Sequence, residues 1–276
     1  QNFTKDIMYI LEDYNSLLAS GKSVDTSVPL YTEYDDKTVL AGMVQVSIKS
    51  TGRVSAKYQG AGNYKQTFSG GISGLSDDGI VSIVLLKNSA EMAITIDNDG
   101  VTTVIVSGVK NKFGSNVRYK GEQNAGLAAD FASYAGYYTV TLPIDESVLD
   151  EGKEVLSTGT GYLTIKADNN LFKKTGKVRI KYCLANGATG SISDAYIIPG
   201  AYIDEKKVEW AYLPVLKSDA KGNTIGVMLR IKKDAAKTYS DNPQVVLAAE
   251  NTTGYWLYED NLTPLQVYGG YFSPTM

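Results

Sequence analysis

The sequence of 276 residues predicts an all-β protein: two tandem, duplicated antiparallel barrels or sandwiches, with one short N-terminal helix. Three observations predict it. Gly52-Arg53-Val54-Ser55-Ala56-Lys57-Tyr58 recurs as Gly176-Lys177-Val178-Arg179-Ile180-Lys181-Tyr182, a shift of 124 positions (176 − 52). After its leading glycine each copy alternates strictly, the pattern of an antiparallel strand with one buried face. Glycine is frequent (27) and proline scarce (7), which suits many short turns.

In chain order, the first element is a helix within 1–21. Ile7, Ile10, Leu11, Tyr14, Leu17 and Leu18 fall at helical spacing, with Thr4 placed as an N-cap and Gly21 just past the end. It is expected to plug or flank a barrel, or else to engage a partner. Strand runs follow at Leu30–Tyr34, Gly42–Ile48 and Val54–Tyr58, then an apolar run at Ile80–Leu86 and a further strand-like run at Met92–Ile96. The second half repeats this order at Tyr137–Pro143, Gly161–Ala167, Val178–Tyr182, Val208–Leu216 and Thr224–Ile231. The upstream pair is offset by 107 (138 − 31) rather than 124, as insertions in surface loops would produce. The stretch 111–133 is turn-rich and reads as the seam. The predicted organisation is therefore a helix at 1–21, a first β domain at 22–130 and a second at 131–276.

Asn98-Asp99-Gly100 and Lys221-Gly222-Asn223 read as hairpin turns, since such pairs supply the positive φ angles of two-residue loops. Val54, Ala56, Tyr58, Val178, Ile180 and Tyr182 are the predicted inward faces.

Absence of histidine is the sharpest chemical constraint. It removes Ser-His-Asp and Cys-His systems, an imidazole general base and histidine-ligated metal. Cys183 is read as a small apolar filler. No phosphate-binding glycine loop and no clustered thiols occur, so nucleotide cofactors and structural zinc drop out, and no cofactor or metal is expected. Carboxylate chemistry remains, because paired Asp/Glu hydrolyse glycosides without histidine. The acidic doublets Asp35-Asp36, Asp77-Asp78, Asp145-Glu146, Asp150-Glu151, Asp204-Glu205 and Glu259-Asp260 all fall in predicted turns or at strand ends. They read as solvated loops, because sequence adjacency does not set two carboxylates across a cleft. Asp97-Asn98-Asp99-Gly100 starts like a calcium loop but lacks the later glutamate, so a hairpin explains it better; carbonyl-rich loops stay open as a calcium alternative.

Net charge is −3, with no basic stripe interleaved with aromatics, so nucleic-acid binding is not expected. No apolar run approaches the ~20 residues of a membrane helix, and none reads as a signal peptide. The outward strand positions carry Lys, Arg, Ser and Glu, which argues against insertion as a membrane barrel.

Tyrosine is unusually common, 20 residues against 6 Phe and 2 Trp. Its apolar face and polar tip suit wetted barrel rims and ligand platforms. Trp210 and Tyr212 share a strand face and read as core. Near the C-terminus, Tyr255, Trp256 and Tyr258, followed by Tyr268 and Tyr271, form the candidate ligand-binding set, either an exposed stacking patch or the closing strands of the second half.

The segment order resembles an uncharacterised β-rich repeat module of large surface proteins of Planctomycetes–Verrucomicrobia–Lentisphaerae-type bacteria. The resemblance rests on Gly42–Ile48, Arg53–Tyr58, Thr67-Phe68-Ser69-Gly70 and Ile80–Leu86. In the second half it rests on Gly136–Thr139, Gly161–Ala167, Lys177–Asn186, Glu209–Tyr212, Gly226–Ile231 and the tail from Gly254 to Gly270. It covers roughly residues 28–272 as pattern, without a diagnostic motif. Where the module has a Gly-Thr-Leu-Ala-Asp-Gly strand end, this chain has Tyr182-Cys183-Leu184-Ala185-Asn186-Gly187. The resemblance implies a secreted or cell-surface setting and carries over no catalytic residue.

The expected function is thus a non-catalytic module of a secreted or cell-surface bacterial protein, binding glycan or another surface polymer or mediating adhesion. Its partners would be a polysaccharide or a surface protein. A structural spacer within a larger surface protein is the first alternative. A carboxylate-dependent glycosidase or lyase is the second, which two facing buried carboxylates would favour.

Overall fold

The computed structural model describes residues 23–97, 101–115, 117–123, 131–142, 159–165, 176–184, 189–235, 246–249 and 252–272. The helix predicted within 1–21 lies outside these residues, as do Asp145-Glu146 and Asp150-Glu151. The described chain is almost entirely antiparallel β and divides into two compact units.

The first unit holds β1 (Val24–Tyr34), β2 (Lys37–Ile48), β3 (Arg53–Gly60), β4 (Tyr64–Gly71) and β5 (Gly74–Leu75). It continues through β6 (Val81–Lys87), β7 (Ala90–Ile96), β8 (Thr102–Ser107) and β9 (Tyr119–Gln123). Residues 35–40, the β1–β2 turn and the start of β2, belong to the second unit. The strand order is β4-β3-β2-β1-β9-β8-β7-β6-β5, a curled sheet in which the first strand meets the last. Alternation drives the curl: Val54, Ala56 and Tyr58 are buried, and so are Ile83 and Leu85, Met92 and Ile94, Val104 and Val106. Between β4 and β6, among the described residues, no backbone ladder forms. Side chains bridge that seam instead: Lys87 Nζ donates to the Thr67 carbonyl (2.8 Å) and Gln66 Nε2 to the Lys87 carbonyl (3.4 Å). A lysine laid across an exposed strand edge also discourages pairing with another chain.

One end of this sheet is filled by residues 109–114. Asn111 Nδ2 donates to the Ala41 carbonyl (2.9 Å) and to the Tyr58 hydroxyl (2.8 Å), and its Oδ1 accepts from Phe113 N (3.0 Å). Tyr119 donates its hydroxyl to the Gly114 carbonyl. Burial pushes the Tyr58 phenol up to about 12, the bond from Asn111 working slightly against it. Burial also raises Tyr119 and Tyr138, each with a second push from a neighbouring phenol, Tyr58 and Tyr271. Tyr58 therefore binds its proton more tightly folded than unfolded. Its contribution is complete below about pH 10 and is lost as pH rises towards 12, an order of 2–3 kcal/mol from this one group. A denaturant midpoint that falls between about pH 10 and 12, and falls less in Tyr58→Phe, is the expected result. A midpoint flat over that range would contradict the buried placement.

The second unit holds a short 3₁₀ turn (Phe131–Tyr134), then β10 (Gly136–Leu142), β11 (Gly159–Ile165), β12 (Gly176–Leu184) and β13 (Thr189–Ile203). It continues with β14 (Glu209–Ser218), β15 (Thr224–Lys232), β16 (Val246–Ala248), β17 (Gly254–Tyr258), β18 (Asn261–Leu265) and β19 (Tyr268–Phe272). Its order is β14-β13-β12-β11-β10-β19-β16-β15-β17-β18, and β14 also pairs with β15. That last pairing closes an eight-strand ring of β10–β16 and β19, with the β17–β18 hairpin attached to β15. Eight strands leave an interior just wide enough for side chains to fill. Tyr138, Val178, Ile180, Ile192, Ala195 and Leu213 are buried. Tyr138 donates to the Tyr134 carbonyl (2.9 Å), tying the 3₁₀ turn to the barrel.

The duplication is visible strand for strand. β3 and β12, which carry the repeated heptad, each lie third in their unit, and β1 pairs β9 as β10 pairs β19. The predicted inward set is buried except Tyr182, which is half-buried.

Two expectations are corrected. The stretch 111–133, read as turn-rich, contains β9, the strand that closes the first sheet against β1. Asn98-Asp99-Gly100 lies outside the described residues; at its base Asp97 N donates to the Val101 carbonyl (3.1 Å) and Val101 N to Asp97 Oδ1 (2.9 Å). The same pair of bonds closes Asp219–Asn223, so that hairpin turns through three residues rather than two, with Gly222 at φ 88°. Two-residue loops with left-handed backbones occur instead at Asp35-Asp36 (φ 50° and 57°) and Glu259-Asp260 (φ 45° and 66°).

Candidate functional site

Residues of β14 and β15 pair in a long register, Trp210 opposite Lys232 and Tyr212 opposite Arg230. The same row runs on through Leu247 of β16, Tyr268 of β19 and Thr141 of β10. Tyr268 and Thr141 are exposed, and the alternate residues Leu213, Leu229 and Ile231 are buried, so this row lies on the outer face of the barrel.

The local sequence builds this face from a tight turn. Asp204 N donates to the Val208 carbonyl (3.0 Å), and Lys207 takes φ 63°. The Asp204 carboxylate is fully engaged: Oδ1 accepts from Lys206 N and Val208 N (2.9 Å each), and Oδ2 accepts from the Trp210 indole N–H (3.0 Å). The indole bond, followed by the Val208 amide, holds this carboxyl below the usual carboxylate range. Trp210, locked at its polar end, lies opposite Tyr202 in the β13–β14 register. The Arg230 guanidinium sits over both rings, 5.1 Å from the Trp210 centroid and 5.7 Å from that of Tyr202. Stacking of this kind contributes about 0.5–2 kcal/mol per ring according to its desolvation. The result is a basic and aromatic ledge in which Tyr202, Tyr212, Arg230 and Lys232 are half-buried around a buried Trp210, with Tyr268 (42% exposed) two strands away.

On the opposite, inner side the Glu209 carboxylate bridges two partners. Oε1 accepts from the Tyr134 hydroxyl (3.0 Å) and Oε2 pairs with Lys233 Nζ (2.8 Å). This carboxylate anchors the 3₁₀ turn. Of the acidic doublets that are described, Asp35-Asp36, Asp77-Asp78 and Glu259-Asp260 are exposed turn residues. No group of three or more metal-ligating side chains occurs among the described residues.

The five residues singled out from the sequence are divided between faces. Tyr255 is buried against Gly226 and donates its hydroxyl to the Leu40 carbonyl (2.6 Å). Trp256 packs with Ile225 and Leu265, and Tyr258 stacks edge-on to it at 5.5 Å. Tyr271 meets Tyr138 edge-on at 5.6 Å. Tyr268 stands on the outer ledge, its hydroxyl donating to Gln266 Oε1 (2.7 Å). Sequence reasoning missed Arg230 and Tyr202; its assignment of Trp210 to the core agrees with the 6% exposure of that residue, while Tyr212 is half-buried. The signal was the hairpin at Asp219–Asn223, whose register aligns Trp210 and Tyr212 with Lys232 and Arg230.

No family model and no curated protein matches the chain. Among solved structures it is similar to a "putative outer membrane protein" from Bacteroides fragilis NCTC 9343, at 9% identity over 92% of this chain and 99% of that one. The TM-score is 0.28, a likeness too shallow to carry fold or function across.

Proposed function

We propose that the chain is a non-catalytic module of a secreted or cell-surface bacterial protein, whose second barrel holds a surface polymer, glycan foremost, along its outer face. The observation that carries this reading is the outer face itself, where half-exposed Tyr268 and half-buried Tyr202 and Tyr212 share a face with Arg230, which is anchored on the buried Trp210. Flat rings with polar tips accept the apolar faces of sugars at low entropic cost. Non-catalysis is supported by the lack of histidine and by carboxylates committed to turns and anchors. The surface setting is supported by the resemblance described from the sequence.

A screen against bacterial and host polysaccharides, with and without Ca²⁺, tests this. Wild type should retain at least one polymer without shortening it, and a folded Tyr202→Ala/Tyr268→Ala double variant should lose it. Polymer cleavage, or binding indifferent to both substitutions, would contradict the reading.

A further inference from the structure

We propose that the chain associates side by side with a second copy of itself, through an aliphatic ridge on the outer face of β6 in the first unit. Val84 and Leu86 are successive outward residues of that strand, 46% and 67% exposed. A lone exposed leucine marks nothing, but two large aliphatic side chains set together in water mark a contact surface. The outward residues of β6, β7 and β8 include no aromatic ring, so this ridge is not a platform for sugars.

The strands on either side say what covers it. β7 pairs with β6 on one side, and β4 lies on the other, bridged by the Lys87 and Gln66 side chains. Alternation places Arg53 and Lys57 of β3 and Lys65 of β4 outward, and neither strand carries an acidic residue. Beyond the ridge β7 turns out Glu91, β8 adds no charge, and β9 turns out Lys120 and Glu122. The ridge thus separates a basic flank from one where acids outnumber bases. Asp77-Asp78 lies in the turn that leads into β6, at the end of the ridge away from Leu86.

An apolar ridge between flanks of opposite sign is complementary to itself. A two-fold axis along β6 lays Val84 and Leu86 on the same residues of the second copy and exchanges the flanks, so basic meets acidic twice. Glu91 stands beside Leu86 in register, and Lys57 and Lys65 stand across the seam from it. A partner of one charge sign would meet one flank favourably and be repelled by the other. The contact would also cover the β4–β6 seam, where no backbone ladder forms among the described residues. Five strands by seven residues make a face of about 20 by 23 Å, some ~450 Å² per copy against ~800 Å² per partner in a standard interface. The dimer is therefore weak and forms where the protein is concentrated.

Sedimentation equilibrium of the full chain, from micromolar to millimolar concentration, tests this. A monomer–dimer equilibrium that weakens with added salt is expected. Leu86→Ser, at an exposed position, should leave the melt unchanged and weaken dimerisation about tenfold or more. Lys65→Glu and Glu91→Lys should each weaken it about fivefold. The double variant should return to within about twofold of wild type, because each reversed charge then meets its reversed counterpart on the other copy. A monomer at every concentration would overturn the proposal, and so would a dimer indifferent to Leu86→Ser. Single reversals that weaken the dimer without rescuing each other, or growth beyond dimers, would overturn the two-fold pairing.

Discussion

Gly121→Ala is expected to abolish closure of the first sheet rather than merely loosen it. Gly121 lies in β9, between Val104 of β8 and the β1 strand. A Cβ built there falls on the carbonyl oxygen of Pro29, with the carbonyl carbon at 2.7 Å and Val28 Cγ1 at 3.2 Å. Backbone cannot rotate aside as a side chain can. Pro29 is also fixed in φ, which removes the easiest adjustment. The two strands must part, and the pairing of β1 with β9 is what joins the two ends of the up-and-down run. Ordinary overpacking costs about 1–3 kcal/mol; parting a closing strand pair should exceed that range. Gly74→Ala is the matched control, because nothing lies within 4 Å of its added methyl. Denaturant melts read by circular dichroism should separate the two variants widely. Equal midpoints would mean that β1 and β9 do not meet as described.

Ile180→Asp is the second large effect. Ile180 is 8% exposed on the inner face of β12, opposite Leu163 and Ile192 in register. A carboxylate there has neither water nor a partner, so the chain must protonate it or unfold, at a cost of several kcal/mol. Burial raises the pKa of such a group, so the deficit should shrink as pH falls from about 7 to about 4. Arg179→Asp, one residue away on the exposed face, should stay within about 0.5 kcal/mol of the parent. A reversal of the two outcomes would invert the face assignment of β12 and, with it, the outer ledge.

How much of this was legible depended on whether alternation survived. β3 and β12 alternate without interruption, and their inward residues could be assigned directly from the period of two. β9 hid because it is five residues long, with glycine at its centre and Lys120, Glu122 and Gln123 around it. β13 hid for a different reason. Its pairing slips between Val178 and Ile180 on one side and between Ile198 and Tyr202 on the other, and Gly200 takes φ 65°. Each slip switches the face of every later residue, so a fifteen-residue strand shows no single period.

The ledge was illegible for a related reason. Val208–Leu216 reads as an apolar run and Thr224–Ile231 as a strand without a clear polar face, because β14 and β15 bury residues of both parities, Leu213 and Leu216 alike. A run without alternation hides which face a tryptophan or arginine occupies. The C-terminal aromatics misled in the other direction. Tyr255 and Trp256 are adjacent in sequence, hence on opposite faces of β17, and both are buried.

Hydroxyl-radical footprinting with and without a saturating polysaccharide retained in the screen tests the central claim most directly, since tyrosines and tryptophans report their own exposure. Tyr202, Tyr212 and Tyr268 should be protected by the polymer, while Tyr34 and Tyr64, exposed in the first unit, keep their reactivity. Protection at Tyr34 or Tyr64 with none at Tyr268 would contradict the assignment of the binding face to the second barrel.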